Sequence, residues 1–294
     1  MDRFNRFRIN IEEYYSTHKR DLPWRKEAPV PYEVWLSEII LQQTRVAQGT
    51  PYYHKILAAF PTIAALADAE EDKLLALWTG LGYYNRARNL QKGAKQIVAE
   101  YHGQLPEQYK ELLNIKGIGP YTAAAIASIC FQEKIGVVDG NVYRVLSRYF
   151  GIHTATNSSA GQKEFQNLAN ECIKGTKHPD QYNQGIMEFG ALLCTPKKPN
   201  CMYCPLNDTC HAFNTGSVGA LPVKLKKGKR TKETLHFGVV QKAEKMALRK
   251  RGTDGIWAGL YEFPQLNDAP KHGQLLEEPV LHKLSHKDLY CSFW

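Results

Sequence analysis

No stretch of this chain comes near the roughly 18 uninterrupted apolar residues of a membrane-spanning helix. The opening segment, Met1-Asp-Arg-Phe-Asn-Arg-Phe-Arg8, is charged and lacks the apolar block of a secretory signal, so none is expected there. Cysteine is scarce: seven in 294 residues cannot build a disulfide scaffold, which would be short and cysteine-dense throughout. The expected setting is therefore a reducing compartment, where thiolates are free to bind metal. No internal repeat is evident, and 43% hydrophobic against 23% charged residues excludes a disordered chain.

Acidic residues are also outnumbered. The formal net charge is +9, and residues 214–294 hold most of the excess, with 14 Lys and Arg against 8 Asp and Glu. Six of those bases fall in residues 223–232: Lys224, Lys226, Lys227, Lys229, Arg230 and Lys232. Such a balance favours a polyanionic partner, nucleic acid first and a membrane surface second. A solvated linker kept soluble by charge would also account for the run.

Four of the few cysteines are crowded into one 17-residue window, Cys194, Cys201, Cys204 and Cys210, spaced C-x6-C-x2-C-x5-C. Four thiolates that close can wrap one tetrahedral ion or one iron–sulfur cubane. Zinc usually takes two short cysteine knuckles far apart, and here only Cys201 and Cys204 form one, so the spacing favours iron–sulfur over zinc. Cys130, Cys172 and Cys291 are scattered and take no part.

At this length two domains are the natural expectation. Residues 1–213 read as nearly all helix. Phe4, Phe7, Ile11 and Tyr14 recur at helical spacing, and prolines and glycines punctuate the segments that follow. Residues 214–234 read as a basic linker. Beyond it the texture turns to strands, with 234–241 and 245–251 as a hairpin and 289–294 as another strand. The expected fold is mostly α, followed by a small α+β or mostly β domain over 235–294, whose core is marginal at that size.

Three segments could carry chemistry. Gly117 and Gly119 permit a tight turn between two helices, and its outward amides with the next helix's N-terminus would seat a phosphate. Asp139 lies at a loop-to-helix junction, where its plainest role is an N-cap. Glu38 interrupts an apolar run from Val34 to Leu41; desolvation there would raise its pKa and suit it to donate a proton, unless it pairs with Arg25. Two carboxylates in contrasting environments suit chemistry at a glycosidic carbon.

Taken together, Leu22-Pro-Trp-Arg25, Trp35-Leu-Ser-Glu-Ile-Ile-Leu-Gln-Gln-Thr-Arg-Val46, Gly80-Leu-Gly-Tyr-Tyr-Asn-Arg-Ala-Arg88, the glycine hairpin, Val138-Asp-Gly-Asn141 and the cysteine window resemble the MutY-family adenine DNA glycosylases. These belong to the helix-hairpin-helix superfamily. The resemblance implies a six-helix barrel module and an iron–sulfur helical module with the active site between them, and a Nudix-like C-terminal domain, here shortened. It implies a monofunctional enzyme that removes adenine mispaired with 8-oxoguanine or guanine from double-stranded DNA, initiating base excision repair. The protein would act as a monomer in a bacterial-type cytoplasm, at the nucleoid.

The resemblance also assigns residues. Glu38 matches the general acid and Asp139 the carboxylate that stabilises the sugar cation, with Tyr121 and Asn141 supporting them. Trp24, Arg25, Leu41, Val46, Gln184 and Met187 fall where the family lines its adenine pocket. Gln43 and Tyr83 match side chains pushed into the duplex; Gly117, Gly119, Lys197 and Lys198 match its backbone contacts. Cys194, Cys201, Cys204 and Cys210 match ligands of a 4Fe-4S cluster. Ser285 and His286 align with the turn that inspects 8-oxoguanine. The acidic metal cluster of active Nudix enzymes is absent, which argues against nucleotide hydrolysis. Tyr121 stands where bifunctional relatives resembling endonuclease III carry a lysine, and a phenol cannot form the Schiff base of strand cleavage. Two rival readings are an endonuclease III-like pyrimidine glycosylase and a damage binder without catalysis.

Overall fold

A computed structural model describes residues 2–226, 228, 230–252, 255–284 and 287–294, which form two compact units, Met1–Leu225 and Lys226–Trp294. The first unit is helical. In chain order its helices are α1 (Arg3–His18), α2 (Pro31–Leu41), α3 (Val46–Ala59), α4 (Ile63–Ala67), α5 (Glu71–Trp78), α6 (Asn85–Tyr101), α7 (Tyr109–Leu112), α8 (Pro120–Phe131), α9 (Gly140–Phe150), α10 (Ser159–Ile173), α11 (Pro179–Leu192) and α12 (His211–Asn214). No helix among the described residues is long and apolar enough to cross a membrane.

Helix α8 is the pivot. Proline at its first position starts it, and Ala123, Ala124, Ala125, Ile126 and Ala127 leave it without a polar face, so it is buried on all sides. It packs on α2 and α7 in one direction and on α11 in the other. Helices α2 to α6 pack among themselves to form one half of the unit. The other half gathers α9 and α10 around α11, with α12 on α9, and α1 returns from the chain start to lie along α11. The cleft flanked by α2, α8, α9 and α11 is where the carboxylates lie.

The segment expected as a linker is largely part of this unit. Val218 and Leu221 present their carbonyls to Arg148 Nε at 3.1 Å each, the Val223 carbonyl accepts from the Thr156 amide at 3.0 Å, and Leu221 is buried. The Arg148 guanidinium, which also donates to the carbonyls of Thr195 at 2.8 Å and Pro196 at 3.0 Å, binds this stretch down, a partnership that glycine-rich composition does not reveal. The unit boundary falls between Leu225 and Lys226.

The second unit carries β1 (Thr231–Phe237), β2 (Gln241–Lys242), β3 (Lys245–Met246), β4 (Arg249–Lys250), β5 (Tyr261–Glu262), β6 (Gln265–Leu266), β7 (Val280–Lys283) and β8 (Lys287–Phe293). The expected hairpin shrinks to the short β2–β3 pair. Strand β1 instead pairs in parallel with the distant β8, Leu235 opposite Cys291, in a sheet of order β6-β1-β8-β7. Burial explains the choice. Leu235 and Phe237 alternate inward to meet Leu289 and Cys291, whereas β2 and β3 are fully exposed and offer nothing to bury.

Candidate active site

Glu38 sits in the last turns of α2 with its side chain turned inward, 7% exposed. Burial raises its pKa from 4.5 to about 7, helped by the Asp139 charge and opposed by a hydrogen bond with the Tyr121 phenol and by Arg25. The acid is thus half-protonated near neutrality. The Tyr121 hydroxyl, from the first turn of α8, shares its one proton between Glu38 and Met187 Sδ, the latter at 3.2 Å; its own pKa is pushed well above 10 by burial, so it stays a phenol. The alternative pairing of Glu38 with Arg25 does not occur. Arg25 Nη2 bonds Glu188 at 3.0 Å, and Glu188 also takes two bonds of 2.7 Å from Arg20. Glu188 is only 1% exposed, and burial alone would raise its pKa; the two guanidiniums overcome that and hold it at about 2.

Asp139 is the N-cap of α9, and that role does not compete with a place in the site. Its Oδ1 accepts from the amides of Asn141 at 2.9 Å and Val142 at 2.8 Å, while Oδ2 accepts from Asn141 Nδ2 at 2.8 Å. Burial still raises its pKa despite these bonds. Asn141 is fixed in turn by Arg144 Nη2 at 2.9 Å, and Arg144 donates to the carbonyls of Gly190 at 2.6 Å and Cys194 at 2.7 Å. One chain of hydrogen bonds therefore joins Asp139 to the backbone of the cysteine loop.

Glu38, Asp139, Tyr121 and Asn141 line a single cavity of about 960 Å³, together with Trp24, Arg25, Leu41, Val46, Gln184 and Met187. Gln43 stands at its rim, exposed, with a φ of +57°. Tyr83 does not line the cavity; it is 56% exposed on a separate turn with a φ of +50°. Positive φ is uncommon for such residues, and here it turns both side chains outward. Gly117 also needs its φ of +85°, and a Cβ there would strike Asn89 at 2.8 Å. Gly119, having no side chain, leaves the first-turn amides of α8 uncapped. Lys197 and Lys198 are exposed on the cysteine loop, and Ser285 and His286 lie outside the described residues.

Cys194, Cys201, Cys204 and Cys210 come together in space. They ring one void walled by Val145, Phe189, Leu193 and Leu206. None is in a disulfide, and Arg148 Nη1 lies 3.5 Å from Cys194 Sγ. Among the described residues no three His, Cys, Asp or Glu side chains converge tightly enough to share one metal ion. The four cysteines line one void without meeting at a single point. Sequence reasoning missed Glu188, Arg20, Arg144 and Arg148, each a buried or half-buried charge whose partners lie far along the chain.

Residues 36–171 match the HhH-GPD superfamily of base excision DNA repair proteins. The chain is 38% identical to an adenine DNA glycosylase of Arabidopsis thaliana, across 89% of this chain and 47% of that protein. It is 36% identical to an adenine DNA glycosylase of Buchnera aphidicola subsp. Baizongia pistaciae, across 95% of this chain and 82% of the relative. Among solved structures, a thermostable thymine-DNA glycosylase superposes with a TM-score of 0.66 at 29% identity, covering 72% of this chain and 97% of that one.

Proposed function

The chain belongs to the adenine DNA glycosylase family of the HhH-GPD base excision repair superfamily, and from that premise we propose that it excises adenine mispaired with 8-oxoguanine or guanine without cutting the strand. The observation that carries the proposal is the pairing of two unlike carboxylates in one cavity: Glu38, whose pKa burial raises to about 7, and Asp139, pinned by three hydrogen bonds.

The adenine must first leave the stack, because its glycosidic carbon is shielded inside duplex DNA. The extruded base enters among Trp24, Arg25, Leu41, Val46, Gln184 and Met187. Glu38 gives its proton to the purine ring at N7. The bond from C1′ to N9 then breaks, and its electron pair goes to the base, which departs neutral. Positive charge left on the sugar is met by Asp139, whose hydrogen bonds stop it from turning away. Water adds at C1′ and loses a proton, leaving an abasic site and free adenine. Tyr121 keeps Glu38 in place and cannot form an imine, so a trapped amine adduct is not expected.

Gln43 and Tyr83 would enter the duplex beside the target. The amides after Gly117 and Gly119, with Lys197 and Lys198, would hold phosphates. Cys194, Cys201, Cys204 and Cys210 would hold a 4Fe-4S cluster; four thiols around a void suit the corners of a cubane better than one zinc ion. When bound, such a cluster would cross-link the loop that bears Lys197 and Lys198. The second unit, with Ser285 and His286, would read the opposite base.

Single-turnover release of adenine from a duplex holding one adenine·8-oxoguanine pair tests the reading. Wild type is expected to release adenine, and Glu38→Gln to bind the duplex and release almost none. Equal inertness of both would leave only a damage-binding protein.

A further inference from the structure

We infer that Arg86 is a positioning residue that clasps the loop carrying Gln43 to the turn carrying Tyr83, so that both side chains meet DNA as one preformed wedge. This rests on the reading above that the two side chains enter the duplex. The geometry is unusual for an arginine. Arg86 Nη1 donates to the carbonyls of Ile39 at 3.1 Å, Ile40 at 2.9 Å and Gln42 at 2.5 Å, and to Thr44 Oγ1 at 3.4 Å. Its Nη2 donates to the carbonyls of Leu81 at 3.4 Å and Gly82 at 3.1 Å. One arm of the fork therefore holds the end of α2 and the loop after it, and the other holds the turn before α6.

The rest of the residue serves the same junction. Its guanidinium lies over Trp78, 5.3 Å from the ring centroid, and over Tyr83 at 5.7 Å. Trp78 reinforces the turn by donating its indole N–H to the Gly82 carbonyl at 3.1 Å. Among the described residues no carboxylate is a hydrogen-bond partner of Arg86, and its Nε is buried without any partner. Burying a guanidinium without a counter-ion is costly, and surface ion pairing would hold it more cheaply in water. What the arrangement gains is control of two loops at once. Each has a positive-φ residue at its tip, Gln43 and Tyr83, a conformation that persists only when its surroundings impose it. Arg86 also caps the exposed carbonyls at the end of α2, the helix that presents Glu38, where a positive charge is favoured.

Lysine cannot substitute. It carries one compact ammonium on a flexible stem and cannot span two loops with a planar fork. A clasp of this kind lowers the cost of prying the base out, so its loss should be felt in extrusion and not in bond cleavage.

The test uses the full chain and two 8-oxoguanine duplexes, one with the target adenine stacked in a paired helix and one with it in a short unpaired bubble. Arg86→Lys is expected to slow single-turnover excision from the stacked duplex by about 10- to 100-fold, the equivalent of a few kcal/mol of lost help in unstacking, and from the bubble by less than about threefold. Equal losses on both duplexes, or none on either, would overturn the clasp and leave the functional reading standing. Failure of the wild type to release adenine from either would overturn both. Should Arg86→Lys not fold, Trp78→Phe removes the indole donor from the same turn. It is expected to give the same contrast more weakly, and equal effects on the two duplexes would refute the clasp.

Discussion

Replacing Glu38 with glutamine should stabilise the protein at alkaline pH while ending its chemistry. The native site raises the Glu38 pKa from 4.5 to about 7 by burial. Between those two values the folded chain holds a proton that the unfolded chain has released, so stability falls as pH rises through this window and levels off above it. At about 1.4 kcal/mol per pH unit, the full shift corresponds to about 3 kcal/mol lost between acid and alkaline solution. Glutamine has the same shape and bears the same burial at every pH, but never ionises. The stability of Glu38→Gln relative to wild type should therefore grow by about 2–3 kcal/mol between pH 5 and pH 8, or about 5–10 °C in Tm for a unit of this size.

Carboxylates remote from Glu38 titrate alike in both proteins and cancel from the difference; Asp139, whose charge helps raise the Glu38 pKa, adds a smaller change of its own. Thermal unfolding of wild type and variant, followed by circular dichroism at pH 5, 6, 7 and 8, reads it directly. Parallel curves would refute the argument, because they would mean that Glu38 is solvated or paired in the folded chain. The catalytic counterpart carries the same sign. Excision by wild type should decline as pH rises above about 7, where Glu38 gives up the proton it is proposed to donate.

Three further outcomes are expected. Arg144→Met removes the donor that fixes Asn141, and with it one of the three bonds on Asp139; excision should fall about tenfold or more with DNA affinity nearly unchanged, which binding and single-turnover assays separate. Glu188→Ala leaves the mostly buried Arg25 without its ion-pair partner and releases the half-exposed Arg20, and should cost about 3 kcal/mol in urea unfolding, whereas an effect below about 1 kcal/mol would show Arg25 to be solvated. Neutralising Lys197 and Lys198 together should weaken binding to matched and mismatched duplexes alike and lower the salt slope by about two, one for each lost phosphate contact; an unchanged slope would make them plain surface.

How much of this was legible in the sequence depends on what fixes a residue's identity. Glu38 and Asp139 stood out by their settings, one in an apolar run and one at a loop-to-helix junction, while Tyr121 and Asn141 were marked by the family resemblance; the structure gathers all four in one cavity. Asp139 shows where weighing alternatives misleads. Its N-cap role and its place in the cavity looked like rivals, yet the cap is what aims the carboxylate. The parallel pairing of β1 with β8 was not readable, since local signals favour the adjacent hairpin and only burial against Leu289 and Cys291 decides otherwise.

Arg86, Arg144 and Arg148 were overlooked for a related reason. Most of their acceptors are backbone carbonyls, such as those of Gln42, Gly190 and Thr195, which every residue supplies and no sequence pattern marks. Which carbonyls go unclaimed is settled only when helices end and loops cross in three dimensions. An arginine amid such groups ties segments distant in sequence: α2 with the turn before α6, α9 with the cysteine loop, and that loop with residues 218–221. The four cavity residues can be named from setting and motif, but the backbone around them is tied by arginines whose own residue type predicts only a solvated surface.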